Sequence, residues 1–339
     1  MARSTIVVLI ALAALFGLAA TAISRTIGWA PVLGPKARPT TNRHFRVSPQ
    51  RIARGEYIVN HVSSCADCHS PADWTDQRNP KPLQDKHLSG QVWPMPDFPG
   101  RMTVPNITPD RKTGIGTWSD DEIARAIREG IRKDGRALFP MMPYRAYREM
   151  SDEDVESIVV YLRSIPSVQN EVPRLQVKFP ISRLINTFPQ PVNQPVVQDA
   201  SSSIARGKYL VKIATCGGCH TVRDDHEQPI PGLELAGGEE MTGAWGKATA
   251  PNITPDETGI GYYTKQMFVE AMRTGKVGGV RPLNPVMPWQ KMGQMTDEDL
   301  GAIYDYLRTV KPVKHYVNGV DGATVCRKCG KKHGLGSQN

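Results

Sequence analysis

The sequence predicts an all-α chain: two tandem copies of one helical domain with long loops, behind a single membrane-spanning helix. Three observations carry that expectation. The part after residue 48 is written twice in the same order. The periodicities inside each copy are helical. And 21 uncharged, mostly apolar residues separate Arg3 from Arg25. The expected organisation is an anchor or signal segment over 1–25, a basic linker over 26–48 and a first domain over 49–168. A linker over 169–203, a second domain over 204–312 and a basic tail over 313–339 carrying a CxxC pair follow.

As a helix, the N-terminal run spans roughly 30 Å, enough to cross a bilayer. Ala20-Thr21-Ala22 would serve as the cleavage site of a signal peptide. The run is long for that role, which favours a retained anchor.

The repeat is one of domain size. Ala53-Arg54-Gly55-Glu56-Tyr57 returns as Ala205-Arg206-Gly207-Lys208-Tyr209, and Pro105-Asn106-Ile107-Thr108-Pro109-Asp110 returns unchanged over 251–256. Met142-Pro143-Tyr144 returns as Met287-Pro288-Trp289, and Met150-Ser151-Asp152-Glu153-Asp154 as Met295-Thr296-Asp297-Glu298-Asp299. The period is far longer than one supersecondary unit, so it reads as domain duplication rather than a solenoid.

Within each copy, Ser151 caps a helix whose face is Val155, Ile158, Val159 and Leu162; Leu300, Ile303, Tyr304 and Leu307 are the counterpart. Pro166 and Pro312 stop these helices. A shorter helix starts at Ser119, with Glu122 completing a capping box, and ends at Gly130; Thr264 and Gly275 bracket its equivalent. The stretch 169–203, rich in Pro, Asn, Gln and Val, reads as a linker that wraps a domain.

The net charge is +9, concentrated in two places. Arg25 to Glu56 holds seven basic residues and one acidic one, and Lys311 to His333 holds six Lys or Arg and one Asp. A basic stretch directly after an apolar run reads as a contact with membrane lipid. Nothing in the pattern suggests nucleic-acid binding.

Six cysteines fall as three CxxC pairs, two of them followed by histidine: Cys65-Ala66-Asp67-Cys68-His69 and Cys216-Gly217-Gly218-Cys219-His220. Cys-x-x-Cys-His is the attachment pattern of a c-type haem. Two thiols three positions apart reach the two vinyl groups on one edge of the porphyrin, and the next residue offers an imidazole to the iron. Two covalently attached haem c groups are therefore expected, with His69 and His220 as iron ligands. A thioredoxin-like pair would need a βαβ setting, a zinc site two more ligands, and a disulfide would leave each histidine unexplained. Hydrophobic content of 40% and aromatics of 7% fit a chain whose cores are completed by a cofactor.

The sixth iron ligand is expected from the repeat. His61, His87 and His226 have no counterpart in the other copy, whereas Met142 and Met287 each sit in a Pro-x-Met-Pro turn. Met142 and Met287 are therefore read as ligands. Met150 and Met295, next to a helix start, are read as staples onto the core, and Met141 as packing. The third pair, Cys326-Arg327-Lys328-Cys329, is followed by Gly330 and by ten residues in all, too few for a third haem domain. A disulfide, a free dithiol, a metal site shared with His333 or a vestige of a lost domain remain open for it.

With its CxxCH pairs, Pro-Asn-Ile-Thr-Pro-Asp followed by Thr-Gly-Ile-Gly, Met-Pro-Tyr, and Ser-Asp-Glu-Asp-Val running into Tyr-Leu-Arg, the sequence resembles a known family over roughly 49–312. It is similar to the cytochrome c subunits of membrane-bound bacterial alcohol, gluconate and fructose dehydrogenases. The resemblance implies two class I cytochrome c folds, His/Met haems, and periplasmic electron transfer toward a quinone or an oxidase. It implies Asn106 and Asn252 near the haem propionates; read from the residues, both also suit Asx turns before Thr-Pro. Family members commonly carry three CxxCH sites and this chain two, which sets it apart. The positive-inside rule would put the flank after Arg25 in the cytoplasm. Haem attachment in bacteria occurs on the opposite side, so the haem domains are expected to face the periplasm from the cytoplasmic membrane.

The expected role is a membrane-anchored dihaem electron carrier, an electron-transfer subunit rather than a catalyst. It would serve redox partner proteins in a membrane complex: a dehydrogenase, an oxidase or a quinol-oxidising complex. The alternative is a dihaem redox enzyme of peroxidase or thiosulfate dehydrogenase type, which needs an open iron or a ligand that leaves.

Overall fold

A computed structural model of the chain describes residues 2–73, 75, 81–93, 95, 98–224, 228–243, 246–317, 324–325, 330 and 332–333. The helix Ala2–Arg25 comes first, and Thr5–Arg25 within it is long and apolar enough to cross a membrane. Two sets of three helices follow. In the first, Ser48 caps Pro49–Tyr57 by accepting from the Arg51 amide, and a π-helical segment Ile58–Val62 continues it. Ser119 and Glu122 form the expected capping box on Asp120–Glu129, which Gly130 ends in the left-handed region at φ 70°. Ser151 caps Asp152–Ser164, with three acids in its first turn complementing the helix dipole. In the second set, Ser202, Thr264 and Thr296 cap Ser203–Ile213, Lys265–Thr274 and Asp297–Leu307.

In each set the leading helix crosses the closing one. The predicted faces are buried except at Tyr304, which is half-buried: Val155, Ile158, Val159 and Leu162 share a core with Ile58, Val59 and Val62, and Leu300, Ile303 and Leu307 with Leu210, Val211 and Ile213. Glycine permits the crossings. A Cβ on Gly55 would lie 2.1 Å from the Ser157 carbonyl oxygen, and one on Gly207 would lie 1.8 Å from that of Ala302.

The all-α expectation is met by the long elements and not by the loops. Six two-stranded antiparallel ladders occur among the described residues. The longest is Glu240–Gly243 with Gly246–Thr249, Glu240 opposite Thr249. Another pairs Gly100 with Val177 and Arg101 with Gln176, tying a loop of the first half to the connection between the halves. The connection is also bonded to the first half through Asn170, whose Nδ2 donates to the Ser89 and Gly90 carbonyls at 3.0 Å.

The basic stretch after the apolar helix is largely spent inside the protein. Arg38 donates through both terminal nitrogens to Asp121 at 2.8 Å and through Nε to Glu129 at 2.7 Å. Burial alone would raise the Asp121 carboxyl, but Arg38 and the Thr41 amide outweigh it and bring it down to about 2. Arg43 pairs with Glu156, Arg51 with Glu153 and Glu156, and Arg54 with Asp154. Four of the seven basic residues, Arg38, Arg43, Arg51 and Arg54, are thus paired within the protein. Arg25, Lys36 and Arg46 make no ion pair among the described residues.

The two halves meet through reciprocal contacts. The Tyr57 hydroxyl donates to Asp299 and the Tyr209 hydroxyl to Asp154, each at 2.6 Å. Each hydroxyl also accepts, at 3.1 Å, from the cap amide of the opposite closing helix: Thr296 onto Tyr57, Ser151 onto Tyr209. The same residue pairs contact each other in both directions, the pattern of an isologous dimer interface here made within one chain.

Candidate haem crevices

Each leading helix delivers its CxxCH segment in the same way. Ser64 (φ 46°) and Thr215 (φ 57°) adopt the left-handed conformation immediately before Cys65 and Cys216, reversing the chain into a short helical turn. Among the described residues the other non-glycine residues at positive φ are Leu88 and Leu235, also repeat partners. Such conformations cost about 1–3 kcal/mol each and persist where the surroundings impose them. Here the Leu88 amide is bonded to Ser70 and the Leu235 amide to Thr221, both just past the histidine.

On a helical turn, positions i and i+3 share one face, so both thiols of each pair point the same way. Cys65, Cys68, Cys216 and Cys219 are in no disulfide. Burial pushes the Cys65, Cys68 and Cys216 thiols up to about 12 and Cys219 upward as well. A redox-active pair needs the reverse, a lowered thiol.

His69 and His220 are buried, with Nδ1 2.8 Å from the carbonyl oxygens of Pro105 and Pro251 respectively. A carbonyl only accepts, so Nδ1 carries the proton and Nε2 keeps its lone pair. Burial lowers both imidazole pKa values against the opposing effect of the proline carbonyl. This is the arrangement that fixes the tautomer and ring of a metal-ligating histidine.

The next residue in each loop, Asn106 or Asn252, is buried and wholly engaged. The Asn106 Oδ1 accepts from the Thr108 amide and hydroxyl, and its Nδ2 donates to Thr113 and to the Val168 carbonyl. Asn252 repeats this with Thr254, Thr258 and Val313. These are the Asx-turn bonds, with both amide hydrogens used within the protein. They staple the Pro-Asn loop, and with it the carbonyl that holds the histidine, to the exit of the closing helix. Asn252→Leu should cost about 2–3 kcal/mol, because several buried groups lose their partner at once. It should also broaden the spectrum of the second haem while the first is unchanged; thermal unfolding and low-temperature spectroscopy check both.

The two repeated methionine turns close as their prolines require. The Met142 amide donates to Phe139 and the Met287 amide to Asn284, placing Pro140 and Pro285 at the second position of a β-turn. Met142 and Met287 are half-buried against the core, Met150 and Met295 are fully buried, and all four line one cavity. Met141, read as packing, is instead exposed. It lines the same cavity as its neighbours Pro140 and Met142. His61 lies in the π-helical segment near Tyr57, with ring centroids 6.0 Å apart. His226, Cys326 and Cys329 lie outside the described residues, so the readings attached to them stay as expectations.

Both CxxCH segments, both proline loops and Met142 and Met287 line one continuous cavity of about 3250 Å³. A pocket for one small ligand holds about 300–1,000 Å³, so this volume accommodates two large groups. Trp118, Ile123, Leu162, Phe268, Ile303 and Leu307 supply much of its apolar lining. Sequence reading missed that the connection also walls it, through Val172–Val177 and Ile181–Ile185. The residues fit a haem in each half: unpaired thiols on one face, an imidazole with Nε2 free, a thioether on a rigid turn and an apolar surround.

A protein built this way, twice over, is a dihaem c-type cytochrome. Residues 204–311 match the cytochrome c family and residues 50–162 match cytochrome c oxidase, cbb3-type, subunit III. The chain is 32% identical over 287 residues to the fructose dehydrogenase cytochrome subunit of Gluconobacter japonicus, covering 81% of this chain and 56% of that one. It is 29% identical to the gluconate 2-dehydrogenase cytochrome c subunit of Pantoea cypripedii, over 76% of this chain and 59% of that one. It is 28% identical to a diheme cytochrome c-type protein of Cereibacter sphaeroides, over 77% of this chain and 86% of that one. The chain thus spans little more than half the length of the dehydrogenase subunits it matches. It belongs to the cytochrome c family that includes those subunits, and is an electron-transfer cytochrome with two covalently bound haem c groups.

Proposed function

We propose that this chain is a membrane-anchored electron carrier in the periplasm and works as the cytochrome subunit of a larger redox complex in the bacterial cytoplasmic membrane. The carrying observation is the pair of matched crevices, each offering a tautomer-fixed histidine and a methionine on a Pro-bracketed turn. In this reading the two class I domains are 49–168 and 204–312. Cys65 and Cys68 hold the first haem, with His69 and Met142 on its iron. Cys216 and Cys219 hold the second, with His220 and Met287.

A bound haem supplies a reversible one-electron iron couple, and a methionine ligand sets it higher in potential than a second histidine would. The chain's own residues do the rest. Pro105 and Pro251 hold the proton on Nδ1 and orient the imidazoles. Asn106 and Asn252 act as positioning residues for those carbonyls. The apolar lining excludes water, which limits reorganisation when the charge changes. The Tyr57–Asp299 and Tyr209–Asp154 bonds set the two crevices relative to each other. The apolar helix Thr5–Arg25 tethers the assembly, and the dehydrogenase relatives favour a dehydrogenase as the electron donor.

Potentiometric titration of the membrane-extracted protein tests the proposal. Two reversible one-electron steps without hydrogen peroxide turnover are expected. Peroxide turnover with one iron open would replace the carrier by a dihaem enzyme.

A further inference from the structure

We propose that residues 178–188, in the connection between the two halves, seat the first half on the lipid surface at the foot of the N-terminal helix. This rests on the reading of Thr5–Arg25 as a membrane anchor.

Chain geometry sets the location. Three residues separate Arg25 from Trp29, so the two lie at most roughly 14 Å apart even when the chain is extended. The chain is not extended here. The Thr26 amide donates to Ala22, the Gly28 amide to Ile23, and the Trp29 indole N–H to Ser24 at 2.9 Å. Trp29 is therefore folded back on the end of the apolar helix, where aromatic residues sit at the headgroup level. The one-turn helix Ala30–Leu33 follows directly. It packs against the one-turn helix Ile181–Leu184 and the turn Ile185–Thr187. A segment about 150 residues away in sequence is thus held at the membrane end of the anchor.

The surface exposed there suits lipid. Ile27 and Val32 are exposed, Leu33 is 78% exposed and Phe179 81% exposed. Scattered apolar residues on a surface mean little, but these come from two distant segments and adjoin a span that is apolar throughout. The charge agrees: residues 172–198 contain no acidic residue and three basic ones, of which Lys178 lies off the cavity while Arg174 and Arg183 are exposed residues that also line it. Lys178 and Arg183 form no ion pair among the described residues. Apolar side chains with flanking Lys and Arg make up an interfacial seat on anionic lipid. Ile181 and Ile185 of the same segment line the cavity, so the seat holds that wall of the cavity against the bilayer.

The test uses the full haem-loaded chain in vesicles of phosphatidylcholine and phosphatidylglycerol. A photoactivatable phospholipid, reactive near the headgroup, is included and tryptic peptides are mapped by mass spectrometry. Label is expected on peptides from the apolar helix and on peptide 179–183. Phe179→Ser should cut the label on 179–183 several-fold, leave that on the apolar helix, and leave the haem spectrum unchanged. Label confined to residues before 34 would overturn the seat while the anchor stands. An unlabelled apolar helix would overturn the anchor and the seat with it.

Discussion

Replacing Gly207 by alanine should destabilise the second half of the protein by about 1–3 kcal/mol, the usual cost of forcing extra volume into a packed core. The added Cβ would lie 1.8 Å from the Ala302 carbonyl oxygen and 2.5 Å from its carbon. Both are backbone atoms in the middle of Asp297–Leu307, so no side chain can swing away. The two helices must separate, and the contacts of Leu210 and Ile213 with Leu300 and Ile303 loosen with them. Gly55→Ala should act alike in the first half, where Ser157 is the obstruction at 2.1 Å. Gly301→Ala is the control: its Cβ would meet the Lys265 side chain at 3.5 Å, and helix propensity favours alanine by about 1 kcal/mol. Thermal unfolding followed by haem absorbance decides the matter. An unchanged midpoint for Gly207→Ala would mean that the helices do not cross at this residue.

Asp299→Ala is expected to cost about 2–3 kcal/mol and to loosen one half against the other. The carboxylate is 1% exposed; it accepts from Arg206 Nε of its own leading helix and from Tyr57 of the other half. Burial, reinforced by Asp299, raises the Tyr57 hydroxyl to about 12, so at neutral pH it is a proton donor. Removing one member of a fully buried pair costs about 3–5 kcal/mol. The value here is smaller because Arg206 is partly exposed and keeps Glu298. Asp154→Ala should reproduce the effect through Arg54 and Tyr209. Tyr57→Phe combined with Asp299→Ala gives a double-mutant cycle, with a coupling of about 1 kcal/mol expected from the shared bond. Additive effects would show that the bond does not join the halves.

What could be read from the sequence was local. Cys-x-x-Cys-His, the Pro-bracketed methionines and the helix starts at Ser119, Ser151 and Thr264 are patterns a few residues long, and each determines a turn or a helix end by short-range sterics and hydrogen bonding. What could not be read was pairing across distance. Arg38 looks like a free surface charge until Asp121 and Glu129, more than 80 residues on, are folded against it. The repeat of Tyr57 at Tyr209 and of Asp154 at Asp299 was visible, but nothing local says that each tyrosine bonds the other copy's aspartate. Ser64, Thr215, Leu88 and Leu235 are not residue types that favour positive φ, and for Leu88 and Leu235 the conformation is held by bonds to Ser70 and Thr221, more than ten residues away. Asn106 and Asn252 stood out by repetition, yet their partners Val168 and Val313 lie beyond the closing helices.

In the proposed carrier the two halves hold two equivalent haems, each iron capped by its own half's histidine and methionine. Electron paramagnetic resonance of the oxidised full chain, compared with Met142→Ala and Met287→Ala, tests it most directly. Two low-spin irons are expected in the parent protein and one high-spin iron in each variant, a different one each time. A high-spin iron in the parent, or a variant in which both irons stay low-spin, would contradict it.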